Sequence, residues 1–332
     1  MTKKQGNAFT NNPIVRAIGV QKVVVVLVLL VLFLFFCTMS PAFRTYATIL
    51  SIFDYSYYIT FMAIGVTFAL ITGGVDLSIG TGMICYGLLG GYLITHKGAP
   101  VFVGILVAIV AAMVFGLING ILVAVLNLPP FIATLGTMMV VRGLGSIFTG
   151  GVSITWPPSG TELGWFRNIF KINIGSTKFP LGFLWVLLLV ILMTVVLNKS
   201  KIGRYIIAIG SNKEATRLSG VNVVKYQISA YVISGLFTGL AAIAYAATFQ
   251  AIAPGTGAGL ELDAIGGAII GGTSMTGGSG SIVGTLLGVF IMSMLKTGLP
   301  FIGLQANWQQ IITGLVLIGA VMIDVIKNKK MA

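Results

Sequence analysis

Nine stretches of this sequence run for at least 19 residues without a single Asp, Glu, Lys or Arg: 23–43, 55–75, 77–96, 98–141, 143–161, 179–198, 226–260, 264–295 and 297–323. Each is about long enough to cross the hydrocarbon core of a bilayer, which takes roughly 20 apolar residues in a helix. Only 8% of the 332 residues are charged and 57% are hydrophobic, against about 25% charged in an ordinary soluble domain. A water-soluble surface cannot be built from that inventory. The pattern specifies an all-α, polytopic membrane protein. It excludes a soluble enzyme, a nucleic-acid binder and a secreted disulfide scaffold. A membrane β-barrel is excluded too, because its strands alternate apolar and polar residues over about 10 positions.

The bands resolve into ten predicted transmembrane helices: 23–39, about 50–72, about 77–95, 101–126, 131–149, 180–197, 226–249, about 261–273, 281–298 and 307–326. Gly73-Gly74 separates the second from the third. Asn127-Leu128-Pro129-Pro130 divides the 44-residue band 98–141, since proline lacks the amide hydrogen and blocks helix continuation. The glycine-rich stretch Gly271 to Gly280 interrupts the band 264–295 and leaves the eighth helix short. The first apolar run follows a polar stretch of 22 residues and has no small-x-small site behind it, which reads as a retained helix rather than a cleaved signal peptide. Cys37 and Cys85 each sit within an apolar band and read as small apolar side chains rather than a disulfide.

The net charge of +13 has a simple source, because basic residues collect in the loops that stay in the cytoplasm. With the N-terminus inside, the inner segments hold Lys3, Lys4, Arg16 and Lys22; Lys199, Lys201, Arg204, Lys213, Arg217 and Lys225; and Lys327, Lys329 and Lys330, or 13 of the 20 basic residues. Arg44, Lys97, Arg167, Lys171, Lys178 and Lys296 fall outside. This bias predicts N-in and C-in, which requires an even number of spans. It implies a cytoplasmic tail 1–22, a single transmembrane domain 23–326 with an inner loop 199–225, and a tail 327–332. Ten spans divide into two halves of five, and an odd number per half inverts one relative to the other, as in many transporters. The echo of Val75-Asp76-Leu77-Ser78-Ile79-Gly80 in Leu262-Asp263-Ala264-Ile265-Gly266 is too faint to establish the repeat alone.

Few residues at membrane depth can carry chemistry. Charges there are costly and face a cavity or a partner. Asp76 and Ser78, at the start of the third helix, suit either a capping turn or a gate. Arg142 is the only basic residue deep in a predicted span, and suits either a tie between helices or the lining of a polar path. Glu261 and Asp263 bracket the start of the eighth helix, where carboxylates complement the helix dipole. Asn119 and Thr134 complete the polar candidates for a translocation path or gate. The glycines from Gly255 to Gly280 suit close helix packing or a mobile gate element. Trp156 and Trp165, in the outer stretch 150–179, suit anchoring at the membrane interface or contact with a partner.

The inner loop 199–225 is longer than a connector requires. Within it Ser211 or Asn212 can cap a short helix of about two turns, Glu214 suits the first turn and Gly220 the end. Ala215 and Leu218 give that helix one apolar edge, the form of a docking knob for a soluble partner. No Gly-x-x-x-x-Gly-Lys-Ser/Thr occurs anywhere in the chain, so no ATP-binding lysine of that kind is present.

At this loop the sequence resembles a known family. Gly203-Arg204-Tyr205 and Gly210-x-Asn212-x-x-Ala215-x-x-Leu218-Ser219-Gly220-Val221 are similar to the permease subunits of ribose- and galactose-type ABC sugar importers. So are Gly74-Val75-Asp76-Leu77-Ser78-Ile79-Gly80, Pro130-Phe131-Ile132-Ala133-Thr134-Leu135-Gly136, Arg142-Gly143, Glu261-Leu262-Asp263-Ala264-Ile265 and Gly271-Gly272-Thr273-Ser274-Met275-x-Gly277-Gly278. The resemblance runs from about residue 50 to 326 and is poor in the first 45 residues and in 150–179. It implies a permease without catalytic residues, metal or cofactor of its own, ATP and Mg being held by a separate cytoplasmic ATPase. It also implies an extracytoplasmic sugar-binding protein, a second permease (a homodimer mate or a sister chain), and a place in the bacterial plasma membrane. Ser211, Asn212, Lys213, Glu214, Ala215, Arg217, Leu218, Ser219 and Gly220 would form the coupling element that fits the ATPase. The alternative is a stand-alone ion-coupled carrier of a small polar solute, using embedded carboxylates such as Asp76 and Asp263. A purely structural membrane scaffold would transport nothing.

Overall fold

The computed structural model describes residues 20–175 and 177–329. The predicted tails 1–22 and 327–332 therefore lie largely outside the described residues. Local signals place the helices. After α1 (Val20–Met39), Thr45 accepts the amide of Thr48 and starts α2 (Tyr46–Ile71) about a turn earlier than apolar periodicity indicates. The Gly73-Gly74 break precedes α3 (Ile79–Lys97), and α4 (Val101–Ala124) follows it. Asn127, the only non-glycine residue of positive φ among those described, turns the chain into Pro129-Pro130 and α5 (Pro130–Thr149). The second half holds α6 (Gly182–Lys199), α7 (Lys201–Ser211), α8 (Lys213–Leu218), α9 (Val223–Thr248), α10 (Leu260–Ile270), α11 (Ile282–Gly298) and α12 (Ala306–Lys329).

Among the described residues, eight helices are long and apolar enough to cross a membrane. Of the ten predicted spans, the third and the eighth are present as α3 and α10 but are not among those eight. α3 carries five glycines and ends in His96-Lys97. α10 has 11 residues and rises only about 16 Å, half of a hydrocarbon core. One helix, α7, was not expected at all. Gly203, Ile206 and Ile209 give it a buried stripe, hidden in the sequence among the basic residues of the loop.

α2 and α9 form the centre. Every residue of α2 from Ser56 to Ile71 is buried. α9 packs along α4 and α2, and α2 packs against α11. Large apolar side chains on α1, α4, α5, α6 and α12 point outward, as expected of helices that meet lipid tails. Glycines let backbones touch, Gly116 against Gly235 between α4 and α9, and Gly271 against Gly284 between α10 and α11. Neighbour relations also match between the halves. α3 packs on α4, α5 and α9, while α10 packs on α11, α12 and α2. Those are corresponding partners if spans 1–5 are laid over spans 6–10.

The stretch 150–179 folds onto one end of the bundle. β1 (Ile154–Thr155) pairs antiparallel with β4 (Ala251–Ile252), and β2 (Ile172–Ile174) with β3 (Thr177–Phe179). A 3₁₀ helix, Glu162–Ile169, lies between. Trp156 neither anchors at an interface nor faces outward. It is fully buried, its Nε1 donates to Gly87 O at 2.9 Å, and its ring packs on Phe166. Trp165 is the exposed one. Arg167 donates to the carbonyls of Pro157 at 2.7 Å, Trp156 at 3.3 Å and Ala247 at 3.0 Å. Burial lowers the pKa of its guanidinium from the ordinary value.

Candidate functional site

Four of the sequence candidates come together. The break between α2 and α3 turns Asp76 into the interior, where it is 1% exposed. Its Oδ1 accepts from Ser78 N at 3.0 Å, Ser78 Oγ at 2.6 Å and Asn119 Nδ2 at 3.4 Å. Its Oδ2 accepts from Ser234 Oγ at 2.7 Å. Asn119 also donates to Ser78 Oγ at 2.9 Å and accepts from Thr137 Oγ1 at 2.7 Å. Thr134 Oγ1 donates to Val75 O at 3.3 Å. A carboxylate at membrane depth is thus surrounded by neutral donors from α4 and α9 and from its own turn. Among the described residues no Lys or Arg forms an ion pair with it. The cage locks four elements, α3, α4, α5 and α9, at one point.

Glu261 and Asp263 form a second polar group at the start of α10. Glu261 Oε1 accepts from Gly259 N at 2.9 Å, as a carboxylate at a helix N-terminus should. A Cβ on Gly80 would overlap Glu261 Oε2, so the first turns of α3 and α10 abut. Asp263 does not act as a cap. It is fully buried and accepts from Tyr55 Oη at 2.6 Å, with Lys296 Nζ at 3.3 Å from the same oxygen. Aromatic rings surround the pair: Tyr55 meets Tyr58, which meets Tyr245 and Phe249.

Arg142 stands apart from both groups. It is exposed, and among the described residues it makes no ion pair. It borders a narrow crevice lined by Thr81, Cys85, Gly145 and Thr256. Met139 and Ile147 are exposed on the same helix. A guanidinium in mid-span is costly against lipid tails.

The inner loop folds as α7 and α8 joined at Asn212. Asn212 Oδ1 accepts from Ala215 N at 2.9 Å, which makes Asn212 rather than Ser211 the cap of α8. Ser211 instead closes α7, donating to Ile207 O at 2.9 Å. Lys213 and Glu214 occupy the first turn of α8, and Arg217 Nη2 pairs with Glu214 Oε1 at 2.6 Å. Glu214 raises the pKa of the Arg217 guanidinium. Ser219 Oγ donates to Ala215 O at 2.9 Å, and Gly220 ends the turn at φ +80°. Leu218 is 78% exposed and, with the exposed Ala215, gives α8 its apolar edge.

Ser234, Thr137, Tyr55 and Lys296 belong to these groups but escaped the sequence reading. Ser and Thr in apolar helices usually bond their own backbone, so Ser234 and Thr137 gave no signal by themselves. Lys296 was legible only as a charge near a helix end, and only folding brings it to Asp263.

The architecture and the polar groups define a multi-pass membrane transport protein. The chain belongs to the family described as branched-chain amino acid transport system / permease component, which matches residues 48–321. It is 36% identical over 303 residues to the ribose import permease protein RbsC of Escherichia coli strain K12, covering 88% of this chain and 89% of that one. It is 33% identical over 322 residues to the galactose/methyl galactoside import permease protein MglC of the same organism, covering 93% and 94%. Its likeness to the fructose import permease protein FruG of Bifidobacterium longum is 33% over 314 residues, covering 92% and 91%. No solved structure matches the chain. The family and the apolar helices make this a multi-pass protein of the inner membrane.

Proposed function

We propose that this chain is the membrane-path subunit of an ABC importer for a monosaccharide or related small sugar. The likeness over nearly the whole chain to permeases named for ribose, galactose and fructose import carries the reading. A separate ATPase binds ATP and Mg and drives the cycle from the cytoplasm. A binding protein delivers sugar from outside, and a second permease completes the path. The chain runs N-in and C-in through ten membrane segments in two inverted halves, with 23–326 as one permease domain. The matched neighbours of α3 and α10 support the repeat.

α8 is the coupling element that the ATPase engages, with Leu218 seated in the partner and Asn212 holding the helix in shape. Arg142 faces the path. Asp76, Ser78, Asn119 and Thr134 brace the helices around it, and Glu261 and Asp263 hold α10 in place. An ion-coupled carrier needs carboxylates that exchange ions with water, whereas Asp76 and Asp263 are both engaged by protein donors.

Uptake by the permease reconstituted with its ATPase and binding protein tests this reading. The double variant Arg217→Ala, Leu218→Ala removes exposed side chains only. It leaves the thermal midpoint of the permease unchanged and abolishes ATP-dependent sugar uptake. Full uptake by that variant removes α8 from the mechanism. Uptake driven by an ion gradient with no ATPase present overturns the importer reading.

A further inference from the structure

The last turn of α7 runs into two other backbones. Gly210 lies against the carbonyl of Ile71, the last residue of α2: a Cβ on Gly210 would overlap Ile71 O and stand 2.9 Å from Ile71 C. The loop between α10 and α11 closes the contact from the other side. Gly278 N donates to Ile71 O at 2.9 Å. Gly278 has φ +78°, and a Cβ there would lie 2.8 Å from Ser211 Oγ and 3.1 Å from Ser211 Cα. Three chain segments thus meet backbone to backbone. Where Gly210 meets Ile71 and Gly278 only backbone atoms touch, so no rotamer there can absorb a push, and packed interiors transmit strain.

Each segment leads to a different helix at the edge of the bundle. From Ile71 the chain passes through Gly73-Gly74 to Val75, whose carbonyl accepts from Thr134 Oγ1 of α5 at 3.3 Å. From Gly278 the loop leads back to Ser274 and Met275. Their Oγ and N both donate to Asp324 Oδ2 of α12, at 3.0 and 3.1 Å. α5 and α12 correspond to the fifth and the tenth of the predicted spans. Both carry exposed apolar faces, with Ile147 on one and Ile323 on the other.

We infer that Gly210, Ile71 and Gly278 form a joint that divides a displacement of α8 into two branches, one to α5 through Gly73–Val75 and one to α12 through Ser274–Asp324. Gly210 is a positioning residue: it touches no sugar and no nucleotide, and it sets where α7 and α8 bear on the transmembrane helices. The inference rests on the reading of α8 as the ATPase-coupling element. It adds the route by which one push reaches both halves of the chain at once.

The test uses the permease with its ATPase and binding protein in proteoliposomes, and compares ATPase retention, ATP hydrolysis and sugar uptake. Gly210→Ala is expected to keep the ATPase bound and hydrolysing while uptake per ATP falls about tenfold, the size of an ordinary coupling loss. Unchanged uptake per ATP overturns the joint. Leu218→Ala separates the two ideas. If it keeps the ATPase bound and transport full, the coupling reading fails; if it loses uptake while Gly210→Ala transports normally, only the joint fails. Should Gly210→Ala not fold, Ser211→Cys with Gly278→Cys decides, in a background of Cys37→Ala and Cys85→Ala. A joint that stays closed through the cycle transports sugar after the disulfide forms. Uptake that stops on oxidation and returns on reduction shows that the segments part, and overturns the proposal.

Discussion

Asp76 and Asp263 hold comparable places, each near the start of a helix, α3 or α10, yet they are stabilised in opposite ways. Asp76 is held by neutral donors: two hydroxyls, an amide side chain and a backbone N–H. Asp263 is held by a cation, Lys296, with one tyrosine hydroxyl. The caged group depends on the number and direction of its donors. The ion pair depends on net charge, since removing one partner leaves the other charge buried alone. A buried carboxylate near a helix start can therefore be kept at both places without keeping its chemistry. One half gains a fixed knot of helices, the other a contact sensitive to charge.

The largest effect that would sharpen this contrast comes from Asp263→Asn. It leaves the Lys296 ammonium without a counter-charge and should cost about 3–5 kcal/mol, read as a fall in thermal midpoint in detergent. Adding Lys296→Met should recover most of the loss, and no recovery would mean that the charge pair is not what holds α10 to α11. Next is Asp76→Ala, which leaves the donors of Ser78, Ser234 and Asn119 without their acceptor at a cost of about 2 kcal/mol. Asp76→Asn keeps one acceptor oxygen and should be milder, about 1 kcal/mol. If Asp76→Asn proves as damaging as Asp263→Asn, the caged carboxylate depends on its charge after all and the contrast collapses. The smallest effect is Ser234→Ala, which removes one neutral donor from the cage for about 1 kcal/mol. It should leave sugar uptake near normal in the reconstituted importer.

Helix positions were largely legible in the sequence because charge-free length and prolines act locally. Pro129-Pro130 starts α5 where proline chemistry puts it. α7 was hidden because four residues around its buried stripe, Lys199, Lys201, Arg204 and Lys213, make the segment look like an open loop. The strand pair β1–β4 was out of reach, since neither two-residue strand has a period and each exists only against the other. At the site, Asp76, Asn119 and Arg142 were conspicuous as polar groups in apolar bands. Their grouping was not: Asn119 joins Asp76, whereas Arg142, which looks like its natural counter-charge, points elsewhere. Sequence spacing shows which groups are costly to bury, and only the packing of helices shows which of them meet.

The stretch 150–179 has a consequence of a different kind. Trp156 staples it to the middle of α3, Arg167 to the last turn of α9, and β1 fastens it again to β4. Whatever lands on that face finds a surface whose shape is already fixed, so little conformational entropy is lost on docking. Preordering of this kind leaves more of the contact energy to show as affinity, since nothing on the surface has first to be put in order.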